Sequence, residues 1–302
     1  MSLRAAPRAH RTLGLLVAFA LAVLAFPAGA SEAGGRGIPE KANVETLEGG
    51  VQILRFERSV EPERTIASAR IRNPWGDVRV RRAPINAVGL SFVVQRIAAD
   101  GPLPDIDAEA KGDRVDVRID YPGDPKRVSR GGERPGRVDL VVFAPATAAI
   151  DVETDDGELR VAHTTRPIRA RSASGRILVS GASTLDVESD SGTVLARQVG
   201  GVTGASRVRS GSGTVTALVS PTGNQRIRIR AGAGIFAGPG WSEADALGLT
   251  DGATRWERRY GKGRHRFEIE SARGEVYLMP FIAIDGADIP DDAGDAEATP
   301  AR

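Results

Sequence analysis

Between Ile150 and Val219 one short pattern returns four times. Each copy is centred on a glycine, Gly157, Gly175, Gly192 or Gly213, at intervals of 18, 17 and 21 residues. Apolar residues stand seven and five places before the glycine and two and four after it. Around Gly157 these are Ile150, Val152, Leu159 and Val161; around Gly192 they are Leu185, Val187, Val194 and Ala196. Alternation at period two marks a strand with one buried face, so each copy reads as two strands joined by a turn. Ser, Asp and Gly before the anchor are turn formers, and the anchor itself is expected at positive φ, where a Cβ would be penalised. Similar strands returning every ~20 residues predict a β-solenoid whose turns pair with one another. A β-sandwich of hairpins is the alternative built from the same strands.

The outward positions favour stacking. Six and four places before the anchors stand Asp151/Glu153, Arg169/Arg171, Asp186/Glu188 and Arg207/Arg209, so the charge changes sign from one repeat to the next. Stacked at the ~4.8 Å strand spacing, each arginine pair falls between two acidic pairs. Related segments flank the four. Ala69–Asn73 leads to Gly76, Ile227–Ala231 to Gly234, and Phe267–Ser271 to Gly274. Arg209 and Arg230 break the alternation, which calls for something else to bridge that junction.

Residues 1–30 read as a secretory signal. Arg4, Arg8 and Arg11 precede the apolar run Leu13–Phe26, and cleavage is expected after Ala30 in Ala28-Gly29-Ala30. Removing three arginines and no acid turns a net charge of +2 into −1, so the mature chain has little long-range pull on nucleic acid. No later segment is apolar enough to form a transmembrane helix, and the protein is expected to be periplasmic or secreted. Cysteine is absent, which excludes disulfides and a lipid-modified cysteine anchor. The expected organisation is a linker over 31–50, a β domain over 51–284 and a disordered acidic tail over 285–302 with six acids and one arginine. Residues 121–136, rich in glycine, proline and charge, read as a surface loop. An insert over 235–266 interrupts the repeat. It carries Trp241, Trp256 and Tyr260 beside Arg255, Arg258 and Arg259, and these six are the candidate partner-binding residues. The bland reading is that its aromatics cap the open end of the solenoid.

The frame of strand, Ser/Asp-x-Gly, then Val-x-Val resembles the bacterial putative-adhesin family of unknown function. Arg70-Ile71-Arg72-Asn73-Pro74-Trp75-Gly76-Asp77-Val78-Arg79-Val80 is similar to its first repeat, and Val138–Pro145 to its strand ending in proline. The resemblance spans residues 52–281. It implies an exported, Gly-rich, single-stranded right-handed β-helix with irregular N-terminal rungs. The function it implies is that of a non-enzymatic, adhesin-like binding or scaffold module of the cell envelope, whose partner is an envelope protein or a glycan.

Catalytic chemistry finds little to stand on. The mature chain has two histidines, His163 and His265, neither in a nucleophile–base pattern. The enzymatic alternative is a carbohydrate-active β-helix using turn carboxylates, Asp155 and Asp156 in one turn and Asp190 two turns on. Stacking would separate Asp155 from Asp190 by ~9.5 Å, beyond a retaining pair and at the edge of the inverting range. No cofactor, metal or catalytic residue is assigned, and the Gly-Gly-x-Gly-x-Asp calcium pattern is missing.

Overall fold

A computed structural model of the chain describes residues 35–83, 86–96, 101–122, 136–181, 183–199, 203–220, 224–241 and 248–281. The expected leader, the acidic tail and most of the 121–136 loop lie outside the described residues, as does the side chain of His163. Among the described residues the structure is all-β, apart from one 3-10 turn at Glu48–Gly50, and no helix is long and apolar enough to cross a membrane. In chain order the strands are β1 (Gly35–Arg36), β2 (Asn43–Thr46), β3 (Gln52–Val60), β4 (Ser68–Arg72), β5 (Val78–Ala83), β6 (Val88–Arg96) and β7 (Asp105–Lys111). They continue as β8 (Arg114–Asp120), β9 (Arg137–Pro145), β10 (Ala149–Thr154), β11 (Leu159–Thr164), β12 (Ile168–Ser172), β13 (Ile177–Gly181) and β14 (Leu185–Ser189). The last are β15 (Val194–Gln198), β16 (Ser206–Ser210), β17 (Val215–Val219), β18 (Gln225–Ala237), β19 (Ala253–Arg259), β20 (His265–Ser271) and β21 (Glu275–Pro280).

Each repeat gives one strand to each of two parallel stacks. The first stack runs β8, β4, β10, β12, β14, β16, β20, β18. The second runs β9, β5, β11, β13, β15, β17, β21 and then Gly234–Ala237 of β18. Their facing side chains form the core. Ile150, Val152, Ile168, Leu185, Val187 and Val208 from the first stack meet Leu159, Val161, Ile177, Val194 and Val215 from the second, all buried. Full burial of such a side chain stabilises by ~1.5–3 kcal/mol, so this interior carries the stability.

Pairing at both ends differs from the predominantly parallel expectation. Strand β7 lies antiparallel on β8, with β1 on β7; β6, β3 and β2 continue antiparallel from β9; and β19 is antiparallel on β18. The sheet is therefore mixed. For one of these pairs a short connection is the reason: β7 and β8 are joined by Gly112-Asp113 alone, with Gly112 at φ 66°, and a two-residue turn can only join antiparallel neighbours. The stretch read as a linker, 31–50, supplies two of these flanking strands, β1 and β2.

The anchor glycines obey a different rule from the one expected. Positive φ occurs at Gly76 (133°), Gly157 (148°) and Gly234 (144°), but not at Gly175, Gly192 or Gly213. Close approach is the shared constraint. A Cβ on Gly157 would lie 2.1 Å from the carbonyl oxygen of Gly76, one on Gly175 1.6 Å from that of Gly157, and one on Gly192 1.9 Å from that of Gly175. A Cβ on Gly213 would likewise lie 2.1 Å from the oxygen of Gly192. Each oxygen occupies the place a side chain would need. A buried hydroxyl column stands beside the glycines. Ser172, Ser189, Ser210 and Ser271 each accept, at Oγ, the N–H of the glycine three residues on, at 2.8–2.9 Å. Ser210 and Ser271 also donate to the carbonyls of Gly192 and Gly213. These serines are occupied by the turn itself.

The rungs do not follow chain order at the C-terminal end. Gly234 is the next anchor along the chain after Gly213, but the strand that lies on β16 is β20, and β18 lies beyond it. Glu268 and Glu270 thereby fall between Arg207/Arg209 and Arg228/Arg230. This strand bridges the junction at which the sequence alternation failed.

Candidate functional site

The outward side of the first stack is a grid of charge. One column reads Asp116, Arg70, Asp151, Arg169, Asp186, Arg207, Glu268, Arg228, Glu257 across nine adjacent strands, alternating at every step. The neighbouring column reads Arg118, Arg72, Glu153, Arg171, Glu188, Arg209, Glu270, Arg230, Arg255, alternating everywhere except at its two ends. Ion pairs follow the columns: Arg70–Asp151, Arg169–Asp186, Arg171–Glu188 and Arg207–Glu268 at 3.6 Å, and Arg209–Glu270 at 3.4 Å. Arg72 pairs with Glu153. Burial, and then Arg70 alongside, holds the Arg72 guanidinium below its ordinary pKa. Exposed pairs of this kind stabilise by less than ~1 kcal/mol each, so they set register rather than hold the fold. The outward side of the second stack is different in kind, with Leu178, Leu195, Thr216 and Tyr277 in successive strands.

The six candidate residues of the insert divide between two sides of β19. Trp256 and Tyr260 face inward and are only 6% and 7% exposed. Trp241 is half-buried against them, its ring 6.3 Å from that of Tyr260. Arg258 stands opposite Ile227 on the same inward side, half-buried, with its guanidinium 6.0 Å from the centre of the Tyr260 ring. Arg255 and Arg259 are exposed on the outward side. The structure thus does not gather the aromatics and the arginines into one patch: the rings close the end of the core, and only two arginines join the charged face. The regular strands also reach further into the insert than expected, since β18 extends to Ala237 and β20 starts at His265.

On that face the last three strands, β20, β18 and β19, set nine outward side chains in three rows. The rows are Arg266, Arg226, Arg259; then Glu268, Arg228, Glu257; then Glu270, Arg230, Arg255. Six are arginines and three are glutamates. Glu257 accepts from both Arg226 and Arg228, the latter at 2.8 Å. Slight burial pushes its carboxyl upward, but those two hydrogen bonds outweigh it and hold the group below the usual carboxylate range. Arg266 pairs with Glu268. The first row is the only one of the three with no acid in it.

That row has a continuation. Two residues before the alternating column, on the same side of the sheet, the strands carry Ser68, Ala149, Pro167, Thr184 and Ala205, and then Arg266. These small side chains leave an open groove of about 530 Å³ running across the strands, with Asp151, Arg169, Asp186 and Arg207 along one rim. Neither the groove nor Arg226 and Arg266 was visible as a site in the sequence. The signal that would have found them is the alternation: a strand bearing two acids is required between Arg209 and Arg230, and Phe267–Ser271 is such a strand.

The turn carboxylates make no close pair. Asp155, Asp156 and Asp190 are exposed, with Ala173 in the strand-to-strand position between Asp155 and Asp190. No group of three or more His, Asp or Glu among the described residues is placed to hold a metal ion.

No protein-family model matches the chain, and no curated protein matches it in sequence. Solved structures similar to it include the following two. One is described as a putative cell adhesion protein from Clostridium sporogenes, with 17% identity and a TM-score of 0.46 over 75% of this chain and 99% of that one. The other is described as a putative adhesin from Bacteroides fragilis, with 9% identity and a TM-score of 0.29 over 75% of this chain and 97% of that one.

Proposed function

We propose that this chain is an exported, non-enzymatic, adhesin-like module of the cell envelope, a right-handed β-solenoid that holds a binding surface in fixed register. Support for the winding comes from the two parallel stacks, which share every rung, and from the strong preference of parallel crossovers for the right-handed turn. Support for export comes from the leader-like sequence of residues 1–30. One observation carries the binding reading. The charged face neutralises itself over most of its length: its β8 end sets only Arg72 against Arg118, whereas its C-terminal end gathers five arginines, Arg226, Arg230, Arg255, Arg259 and Arg266. A charge excess that costs the fold repulsion is accounted for by something outside the fold that the arginines meet.

The test is a screen of the purified chain against a glycan array and envelope extracts, paired with an assay for release of sugar products. The expected result is retention of a ligand without turnover. Product release that disappears in Asp155→Asn or Asp190→Asn would instead make the protein a carbohydrate-active enzyme.

A further inference from the structure

The groove and the arginine row lie on one line. Starting at β4 and moving along the stack, the line reads Ser68, Ala149, Pro167, Thr184, Ala205 and then Arg266, Arg226, Arg259. Five small uncharged residues are followed by three arginines on adjacent strands. Directly opposed like charges destabilise a sheet, and the adjoining Asp116–Glu257 column avoids them over nine strands. Here three guanidinium groups stand at successive strand spacings of ~4.8 Å with no acid in their own row. Arg226 and Arg266 share Glu257 and Glu268 with other arginines, and Arg259 makes no ion pair among the described residues. Such a row suits planar oxyanions, which guanidinium groups bind in bidentate fashion.

The rim of the groove asks for a different chemistry. Arg169 and Arg207 offer only donors and Asp151 and Asp186 only acceptors, alternating at every strand. A ligand lying along this rim meets a donor, then an acceptor, then a donor. Hydroxyl groups satisfy both kinds, because each donates and accepts. The floor has room for rings, being lined by alanine, proline, serine and threonine. Nucleic acid is disfavoured: the large rings at this end, Trp256 and Tyr260, face inward, so no stacking platform stands on the face. An extended acidic peptide is disfavoured by spacing, since side chains on one side of a strand recur at ~6.6 Å, not at the strand-to-strand interval.

Building on the non-enzymatic binding reading above, we propose that the groove and the row together bind a linear acidic polysaccharide. Its hydroxyl-rich backbone lies along the Ser68–Ala205 line, and a carboxylate or sulfate group rests on Arg266, Arg226 and Arg259.

The experiment measures retention of polygalacturonate, dextran sulfate, neutral dextran, polyglutamate and anionic phospholipid vesicles by the immobilised full chain. The expected result is binding of one or both acidic glycans, with little binding of dextran, polyglutamate or vesicles. The two acidic glycans tell carboxylate from sulfate. The double variant Arg226→Gln with Arg259→Gln should weaken glycan binding by about tenfold or more. A charge-matched control in the column that does not border the groove, Arg72→Gln with Arg118→Gln, should not. Ala205→Trp places bulk on the exposed groove floor, so it should also weaken binding while leaving the arginines in place. Relief of repulsion predicts that the double arginine variant melts no lower than wild type. If it unfolds, Ala205→Trp still decides the matter. Failure of a folded chain to retain either acidic glycan overturns the proposal, as does equal binding of polyglutamate or vesicles, or indifference to Ala205→Trp. Breakdown of a bound glycan would overturn the non-enzymatic reading and leave this site standing.

Discussion

A single missing atom decides the rung geometry. At Gly192 an added Cβ would sit 1.9 Å from the carbonyl oxygen of Gly175, a backbone atom that cannot swing aside. Gly112 is the useful contrast, since its φ of 66° disfavours other residues but nothing lies within 4 Å of its Cβ position. We therefore expect Gly192→Ala to cost ~3 kcal/mol or more through overpacking, and Gly112→Ala only ~1 kcal/mol through backbone strain. Urea unfolding of the two variants checks the order, and equal losses would show that backbone conformation, not contact, is what the anchors supply. The sequence could mark these positions as glycine but not say why, because both reasons leave the same letter. Tyr121 gives a second expectation at this scale. Its single O–H is shared between two acceptors, Asn73 Oδ1 at 2.9 Å and the carbonyl of Trp75, and its oxygen accepts the Val138 N–H at 3.2 Å. Burial raises its pKa well above the ordinary tyrosine value, with the Val138 hydrogen bond offsetting only part of that. A raised pKa contributes stability that is complete below the unfolded-state value of ~10 and is lost as pH climbs beyond it. Tyr121→Phe should cost ~1 kcal/mol at neutral pH and flatten the fall in stability above pH ~10. An unchanged alkaline slope would remove Tyr121 from that linkage.

Among elements, β20 shows how far the charge pattern reaches. Strands β10 to β17 were legible because period two and the anchor glycine state the same register twice. The order of β16, β20 and β18 was not, because anchor spacing along the chain points to the Gly234 segment as the next rung. Packing on the core does not discriminate either, since Ile227/Ile229 and Phe267/Ile269 serve the interior equally well. The outward pairs do discriminate: Arg228 and Arg230 against Arg207 and Arg209 would set arginine on arginine twice, whereas Glu268 and Glu270 pair with both sides. Glu268→Arg should accordingly destabilise by ~1 kcal/mol, with the loss growing at low salt, because it sets a third guanidinium group between those of Arg207 and Arg228. Unfolding at two ionic strengths measures it. A loss that ignores salt would mean that the contact is packing and not charge. The antiparallel flanks escaped the sequence reading for another reason. Strands β1, β2 and β7 carry no anchor glycine; β2 is exposed along its whole length and so lacks the hydrophobic pattern that marks a rung, while β7 alternates, with Ile106 and Ala108 buried, but has no anchor to place it.

For the whole molecule the decisive feature is how a stack of rungs ends. A repeating core leaves its last rung bare, and the chain covers that end by turning β19 back along β18, with Trp256 opposite Ile229 and Tyr260 beside it. The same strand shows arginine outward, at Arg255 and Arg259, where charge also guards a free edge against pairing with another chain. Aromatic and arginine residues that lie close together in the sequence thus do two jobs on opposite sides of one strand, a division that composition alone cannot reveal. Separate outcomes follow for the two sides. Trp256→Ala removes a buried indole from the lid and should cost ~3–5 kcal/mol. Because the lid also shields the end of the core, this variant should associate as its concentration rises, visible by sedimentation. Arg255→Gln on the outward side should leave the melting temperature within about 1–2 °C of wild type, as surface changes usually do. If Trp256→Ala melted like wild type and associated no more than wild type, the lid would be dispensable, and the aromatic cluster would need a role outside the fold.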